Sequence, residues 1–291
     1  MISFATWNRL GLTVRNLTAL LDTEEDFELH IIDSNSGDDT WDFVQDLKDD
    51  RIKSRIRFEK NRGPIYASNY SLTKRKPDQF FVVMDSDVHI YTRNWLSRFL
   101  KVFNKYPEVG LLGVPKAEPY PGYLPPVLFN IKDGVSYLEL KNASLTEPLD
   151  FVPGHLQCLR PDLIDLLGYW SEEGHYGDAE ISPRTLHFTP YKAGYVTTVE
   201  IDQIQEIPCE SCPAKKWCKL DTKKETCFSI RDKYYRNPLF AMKYQWRHLQ
   251  IFKEIKEGKR TAFCASIHDE DSMKNHLYYR DWAEENFDFY E

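Results

Sequence analysis

From the first residue to about residue 105, short apolar runs alternate with stretches whose apolar residues recur at helical spacing. "MISFATW" reads as a strand, and "LTVRNLTALLDT" carries Leu12, Leu17, Leu20 and Leu21 on one helical side. "FELHIIDS" predicts a second strand, Thr40 to Leu47 an amphipathic helix, "RIRFEKN" a third strand and "YASNYSLTKR" a helix. "FFVVMDSD" then predicts a fourth strand, and "WLSRFLKVFNKY" a helix with Trp95, Phe99, Val102 and Phe103 on one side. Strands joined through helices that return the chain to the same edge imply a largely parallel sheet covered on both faces. Ligands of such sheets lie beyond the carboxyl ends of the strands. "TWN", "DSNSGDD", "NRGP" and "DSD" each follow a strand directly, so the pattern gathers four polar loops on one rim.

The stretch from Pro115 to Pro153 is rich in Pro, Gly and Tyr and reads as a long surface connection. "PDLIDLLGYW" resumes a helix and "GYVTTVEIDQIQ" a strand. From Pro208 onward Cys, Lys and aromatics dominate, which sets a boundary near residue 206. The expected organisation is an α/β domain over 1–205 and a small, mainly helical, Cys-containing C-terminal extension over 206–291.

At 291 residues with 14% aromatics, the chain can bury a sizeable core, and disorder is excluded. No apolar stretch has the length of a spanning helix, and "MISFATWNRL" lacks the layout of a secretory signal, so the expectation is a cytoplasmic protein without a transmembrane segment. In that compartment the six Cys read as thiols or metal ligands. The net charge of −7 is unevenly spread: Lys+Arg against Asp+Glu is 22 against 30 over 1–205, 14 against 5 over 213–260, and 2 against 8 over 269–291.

"FFVVMDSDVHI" ends an apolar run with two carboxylates, Asp85 and Asp87, on either side of Ser86. Two acids so spaced can turn into one loop and share a divalent cation that phosphate oxygens complete. The bland alternative is two solvated acids at a strand end, and the short motif alone does not decide. Its surroundings do. "ATWNRLGLTVRNLTALL", "ELHIIDSNSGDDTWDFV", "NRGPIYASNYSL", "FFVVMDSDVHI" and "VPGHLQCLRPDLIDLLGYWSEEGHYGDAEISPRTLHFTPYKAGYVT" resemble, in order and spacing, the inverting family 2 glycosyltransferases of GT-A fold over residues 1 to about 200.

The resemblance implies a Rossmann-like nucleotide-diphospho-sugar transferase fold, with a mixed, mainly parallel sheet between helices. It implies transfer of a sugar from a nucleotide-diphosphate sugar, a UDP-sugar first among them, with Mn2+ or Mg2+ at the DxD site. By the same resemblance Thr6 and Trp7 lie against the base, with Asn8 and Arg9 bracing the turn. Asp33 and Ser34 lie beside the base, although well-known members carry an Asp at the place of Ser34. Asn61, Arg62 and Gly63 lie near the ribose and diphosphate, Asp85 near ribose and metal, and Asp87 binds the metal directly.

In "HYGDAEISPR" the family usually shows two adjacent acids and a third one residue on; this chain offers only Asp178 and Glu180. The resemblance aligns Asp178 with the catalytic base, with Glu180 in reserve; a helix-start acid favoured by the dipole is the bland alternative. Gly154, His155 and His175 fall on the expected acceptor side. Relatives often add a His after the strand following "AGY"; here Asp202, Glu206 or His268 would have to substitute. His89 and His187 read as ordinary polar contacts.

"PCESCPAKKWCKLDTKKETC" spaces Cys209, Cys212, Cys218 and Cys227 as C-x2-C-x5-C-x8-C, which suits structural Zn2+, with an iron-sulfur cluster as the alternative and unligated thiols as the plain one. Cys158 and Cys264 read as packing residues. The basic, aromatic segment that follows reads first as helix packing on the body, and second as an acceptor platform for a polyanion; nucleic acid is possible but not favoured. The acceptor stays open among polysaccharide, protein, lipid carrier and modified nucleic acid. Two rival readings are a sugar-nucleotide pyrophosphorylase, against which the missing glycine-rich N-terminal loop speaks, and a non-catalytic binding protein that keeps the fold.

Overall fold

The computed structural model describes residues 1–115, 125–146, 150–174, 177–203 and 237–290. Four parallel strands form first: β1 (Ile2–Thr6), β2 (Leu29–Asp33), β3 (Ile52–Arg57) and β4 (Phe81–Asp85). Helices α1 (Leu10–Leu21), α2 (Thr40–Asp46) and α3 (Gly63–Leu72) connect them. A short β5 (Val88–Ile90), α4 (Trp95–Lys105), β6 (Val109–Gly113), a hairpin of β7 (Val127–Lys132) and β8 (Val135–Leu140), and β9 (Leu156–Leu159) follow. Then come α5 (Pro161–Leu167), α6 (Gly177–Phe188), β10 (Lys192–Tyr195) and β11 (Ile201–Gln203). The C-terminal helices are α7 (Pro238–Lys256), α8 (Glu270–Asn275) and α9 (Arg280–Asp288).

Nine strands form one sheet in the order β3-β2-β1-β4-β9-β6-β10-β8-β7, and β11 pairs with β5 in a second, two-stranded sheet. The chain builds outward from β1 to β3, then returns to place β4 on the other side of β1. That reversal opens a crevice at the strand ends between β1 and β4, the usual ligand position of open α/β sheets. Insertion of antiparallel β9 between β4 and β6 makes the sheet mixed.

The uninterrupted apolar run before the DSD loop has a plain cause. Val82 and Met84 enter the cluster packed by α1 and α4, whereas Phe81 enters the opposite cluster with Leu72, Leu163, Leu167 and Ile181. A strand buried on both faces has no polar side to alternate with. In α4 the expected Trp95, Phe99, Val102 and Phe103 are all buried.

Three sequence expectations change. The connection from 115 to 153 contains the β7–β8 hairpin, which extends the main sheet by two strands. "GYVTTVEIDQIQ" divides: β10 lies between β6 and β8, exposed Thr197 and Thr198 break the run, and β11 leaves to pair with β5 beside the DSD loop. Helix α3 starts at Gly63, where Asn61 Oδ1 accepts from the Gly63 amide at 3.0 Å and Pro64 needs no N–H partner in the first turn.

The C-terminal helices join the α/β body through a buried polar network. Glu172 accepts from Asn69 Nδ2 at 2.9 Å, Ser266 Oγ at 2.6 Å, the Ile267 amide at 2.8 Å and Tyr278 Oη at 2.6 Å. Glu173 receives both terminal nitrogens of Arg260 at 2.8 Å and the Tyr279 amide at 2.7 Å. A buried pair of this kind gives little net stability over an apolar one, but losing either partner costs about 3–5 kcal/mol.

Candidate functional site

The loop after β1 is held in an unfavourable shape. Asn8 and Arg9 both have left-handed backbones, φ 55° and 66°, which costs about 1–2 kcal/mol for each side chain-bearing residue. The loop after β2 offsets this. The Asn8 amide donates to Ser36 Oγ at 2.7 Å, Asn8 Oδ1 accepts from the Gly37 amide at 2.7 Å, and the Leu10 amide donates to Asp38 Oδ2 at 3.1 Å. Thr6 keeps its hydroxyl on Thr13 at 2.8 Å and its carbonyl on the Ser34 amide at 2.8 Å. Ser34 is buried and Trp7 half-buried.

Asp33 is fully buried at the end of β2. Its Oδ1 accepts from the Ser36 amide at 2.9 Å and lies 3.4 Å from Arg57 Nε, while Arg57 Nη2 donates to the Ser36 carbonyl at 2.6 Å. Its Oδ2 is buried and has no hydrogen-bond partner among the described residues. Burial pushes the Asp33 carboxyl above the usual carboxylate range, against the lowering effect of Ser36 and Arg57.

At the end of β4, half-buried Asp85 donates its amide to the His155 carbonyl at 2.9 Å. The Ser86 carbonyl accepts from Asn16 Nδ2 at 2.8 Å, and buried Asp87 holds Arg9 Nη2 at 3.0 Å through Oδ2. Asp85 and Asp87 are hard oxygen donors, and their spacing in one loop fits Mg2+ or Mn2+ with further oxygens from a diphosphate. Among the described residues no group of three or more His, Cys, Asp or Glu side chains is arranged to hold a metal. The substitute third ligands are engaged elsewhere or undescribed. Asp202 pairs with Arg15 at 3.2 Å, and Glu206 lies outside the described residues. His268 Nε2 sits 3.0 Å from the Tyr66 carbonyl, with its ring against those of Tyr66 and Tyr70, and burial lowers its pKa to about 4.

Asp178 opens α6, and its Oδ2 accepts from the Gly154 amide at 2.9 Å. A Cβ on Gly154 would stand 2.6 Å from Asp178 Cβ, so only glycine permits this approach. Residues 154 and 155 thereby link Asp178 to the end of β4: Gly154 grips the carboxylate and the next carbonyl holds Asp85. A Cβ on Gly177 would stand 2.3 Å from Ile65 Cδ1, so a larger residue there would have to displace the end of the Ile65 side chain.

Glu180 does not face the crevice. It is 0% exposed, its Oε1 lies 3.0 Å from Arg184 Nε, and burial raises its pKa despite that partner. Arg184 in turn donates to the carbonyls of Leu167 at 2.8 Å and Tyr169 at 2.9 Å, so the pair organises the end of α5. Glu180, the reserve candidate for the base, is thus enclosed beside Arg184, while Asp178 is the acid held by Gly154. His155 is likewise buried, its carbonyl engaged with Asp85, and His175 lies outside the described residues.

The "NRGP" loop meets the end of the chain. Gly63 has φ 85°, and a Cβ there would stand 2.3 Å from the Tyr290 ring. Arg62 Nη1 donates to Glu284 Oε2 at 3.0 Å, and the Tyr66 and Phe287 rings are 4.9 Å apart. The C-terminal helix α9 thus borders the site, which no sequence signal indicated. Ser36, Asp38 and Arg57 were also missed; the polar run "SNSGDD" and an Arg at a strand end were the available hints. Cys209, Cys212, Cys218 and Cys227, with the zinc or iron-sulfur expectation they carried, lie outside the described residues. Cys158 and Cys264 are buried thiols, each pushed up to about 12 by burial, which fits packing.

The family described as "Glycosyl transferase family 2" matches residues 1–167. No curated protein sequence matches the chain. Among solved structures, the mannosyltransferase PcManGT from Pyrobaculum calidifontis, in complex with GDP-Man and Mn2+, aligns with TM-score 0.55 at 15% identity, over 98% of this chain and 83% of that one. TarS 1–349 of S. aureus, in complex with UDP-GlcNAc, aligns with TM-score 0.51 at 15% identity, over 72% of this chain and 60% of that one. The chain therefore spans less than two thirds of that TarS fragment, and at these identities the likeness is one of fold.

Proposed function

The chain belongs to glycosyl transferase family 2 and has a GT-A fold, and from that premise we propose that it is a metal-dependent, inverting glycosyltransferase with Asp178 as its base. The observation that carries the reading is the link from Asp85 through His155 and Gly154 to Asp178, which brings a diphosphate-side carboxylate and a basic carboxylate to one crevice.

The donor is a nucleotide-diphosphate sugar. Asp33 Oδ2, buried and without a partner among the described residues, is suited to accept a ring N–H of the base. Uracil and guanine both offer one; a UDP-sugar is the first candidate and a GDP-sugar the second, and the UDP-GlcNAc and GDP-Man complexes of the two fold neighbours support both. Asn61 and the Gly63 backbone line the approach to the diphosphate. A divalent cation held by Asp87 and Asp85 would supply charge neutralisation of the leaving diphosphate. Arg9, on Asp87 in this structure, already brings positive charge to that loop.

In the transfer itself an acceptor hydroxyl oxygen forms a bond to the anomeric carbon as the bond from that carbon to the diphosphate oxygen breaks. The acceptor proton passes to the Asp178 carboxylate, and the nucleoside diphosphate leaves. One displacement with one base inverts the anomeric centre. Gly154 N–H holds Asp178 Oδ2 and so fixes the carboxylate that takes the proton.

The test is a thermal-shift panel of UDP-, GDP-, dTDP- and CDP-sugars with and without Mn2+. A ligand at 100 times its Kd stabilises by about 2.7 kcal/mol, a rise of several degrees. Stabilisation needing both one nucleotide and the metal, lost in Asp87→Asn and kept without turnover in Asp178→Asn, is expected. No response to any pair would overturn the donor site.

A further inference from the structure

Helix α7 turns an apolar line outward. Leu239, Met242, Trp246 and Leu249 are 77, 70, 56 and 39% exposed, and they recur at intervals of three and four residues on one side of the helix. The opposite side, with Tyr244, Ile251 and Phe252, is buried against the body. Trp246 meets half-buried Trp282 of α9 at 5.4 Å between ring centroids, so the patch spans two helices. Further along the same line stand exposed Lys253 and Lys256, with exposed Lys259 just beyond; Glu257 lies among them, 3.9 Å from Lys253 and 2.7 Å from Lys259. Lys243 and Arg247, by contrast, are tied to Glu285.

We propose that this face of α7 docks the protein on an anionic lipid bilayer. An apolar line that includes Trp and is continued by lysines is what a helix lying in the plane of a membrane interface presents: aliphatic side chains enter the acyl boundary, the indole sits at headgroup level, and the ammonium groups meet the phosphates. Charge favours this occupant. Residues 237–260 carry 6 Lys+Arg against 2 Asp+Glu in a chain of net charge −7, and exposed Lys253, Lys256 and Lys259 set positive charge at the end of the apolar line. A second copy fits less well, because parallel pairing along the same line would set Lys253 against Lys253 and Lys256 against Lys256. No helix among the described residues is long and apolar enough to cross a membrane.

The experiment is co-sedimentation of the full chain with vesicles of phosphatidylcholine alone and of phosphatidylcholine with phosphatidylglycerol, at two salt concentrations, alongside light scattering without lipid. Binding only to the anionic vesicles is expected, weakening with salt. Lys253→Gln/Lys256→Gln should lower the partition coefficient roughly 30-fold, and Trp246→Ser should lower it independently. Both variants should stay folded, Trp246→Ser with a small fall in Tm from the lost Trp282 contact, and both should keep the wild-type response to donor, which separates docking from the donor site. Absent binding to anionic vesicles, equal binding to neutral ones, or undiminished binding of both variants would overturn the proposal. So would a dimer in solution that Trp246→Ser dissociates.

Discussion

Substituting Gly154 by Ala tests the placement of Asp178 without touching its carboxylate. The new Cβ would stand 2.6 Å from Asp178 Cβ, 3.1 Å from Cγ and 3.2 Å from Oδ2. Carbon atoms pack at about 3.5–4.0 Å, so the two chains must part by about 1 Å. The 2.9 Å bond from the residue 154 amide to Oδ2 is stretched or lost in the process. A shift of about 1 Å in a reacting group costs on the order of 100-fold, equivalent to about 2.7 kcal/mol of barrier. The overpacking itself should cost about 1–3 kcal/mol of stability, which a domain of this size tolerates while remaining folded. The assay needs no acceptor: release of nucleoside diphosphate from the stabilising donor, with water as nucleophile, is followed at saturating donor and metal, and donor affinity is measured separately by calorimetry. The expected result is about 100-fold slower release with nearly unchanged donor affinity. Wild-type release from folded Gly154→Ala protein would refute the role of Asp178, and a loss lying wholly in donor affinity would move Gly154 to the donor side.

Asp33→Asn should weaken nucleotide binding about 10- to 100-fold, the range of a hydrogen bond to a charged acceptor, with Tm unchanged or raised because a buried charge is removed; calorimetry with the free nucleotide decides, and equal affinity would remove Asp33 from the base. Arg260→Met leaves Glu173 and Glu254 buried without their cation and should lower unfolding free energy by about 3–5 kcal/mol in urea titrations, with Arg260→Met/Glu173→Leu recovering part of it. A neutral single variant would show that the network does not anchor the C-terminal helices. His268 has a folded pKa lowered from about 6.5 to about 4. The unfolded chain takes its proton as pH falls through 6.5 while the folded chain waits until about 4, so this group contributes stability that is lost as pH falls between those values. His268→Gln should flatten the pH dependence of unfolding there by up to about 1.4 kcal/mol per pH unit; an unchanged slope would contradict the burial.

Much of the fold was legible because its signals are local. The apolar runs before Thr6, Asp33 and Asp85 and the helical pattern from Trp95 to Lys105 each follow from burial on two faces or one, and both periodicities are written within a dozen residues. Polar residues that end such runs could be assigned to the strand ends, hence to one rim. The β7–β8 hairpin was not legible, since residues 115 to 153 carry the turn-rich composition of a surface connection. The division of β10 from β11 was missed because one alternating pattern served two sheets.

The sequence alone determined the α/β class, the polar rim and the residue types available there, because periodicity, turn chemistry and side-chain chemistry act over short spans. Which of those residues meet was decided by the tertiary structure. Arg9 reaches Asp87 across 78 residues, Gly154 holds Asp178 across 24, and Arg62 meets Glu284 across 222. Glu180 and Asp178, two residues apart, divide between core and crevice because the turn of α6 sends one toward Arg184 and the other toward Gly154. Contacts of that kind depend on how packed elements are oriented, and they leave no mark in local pattern.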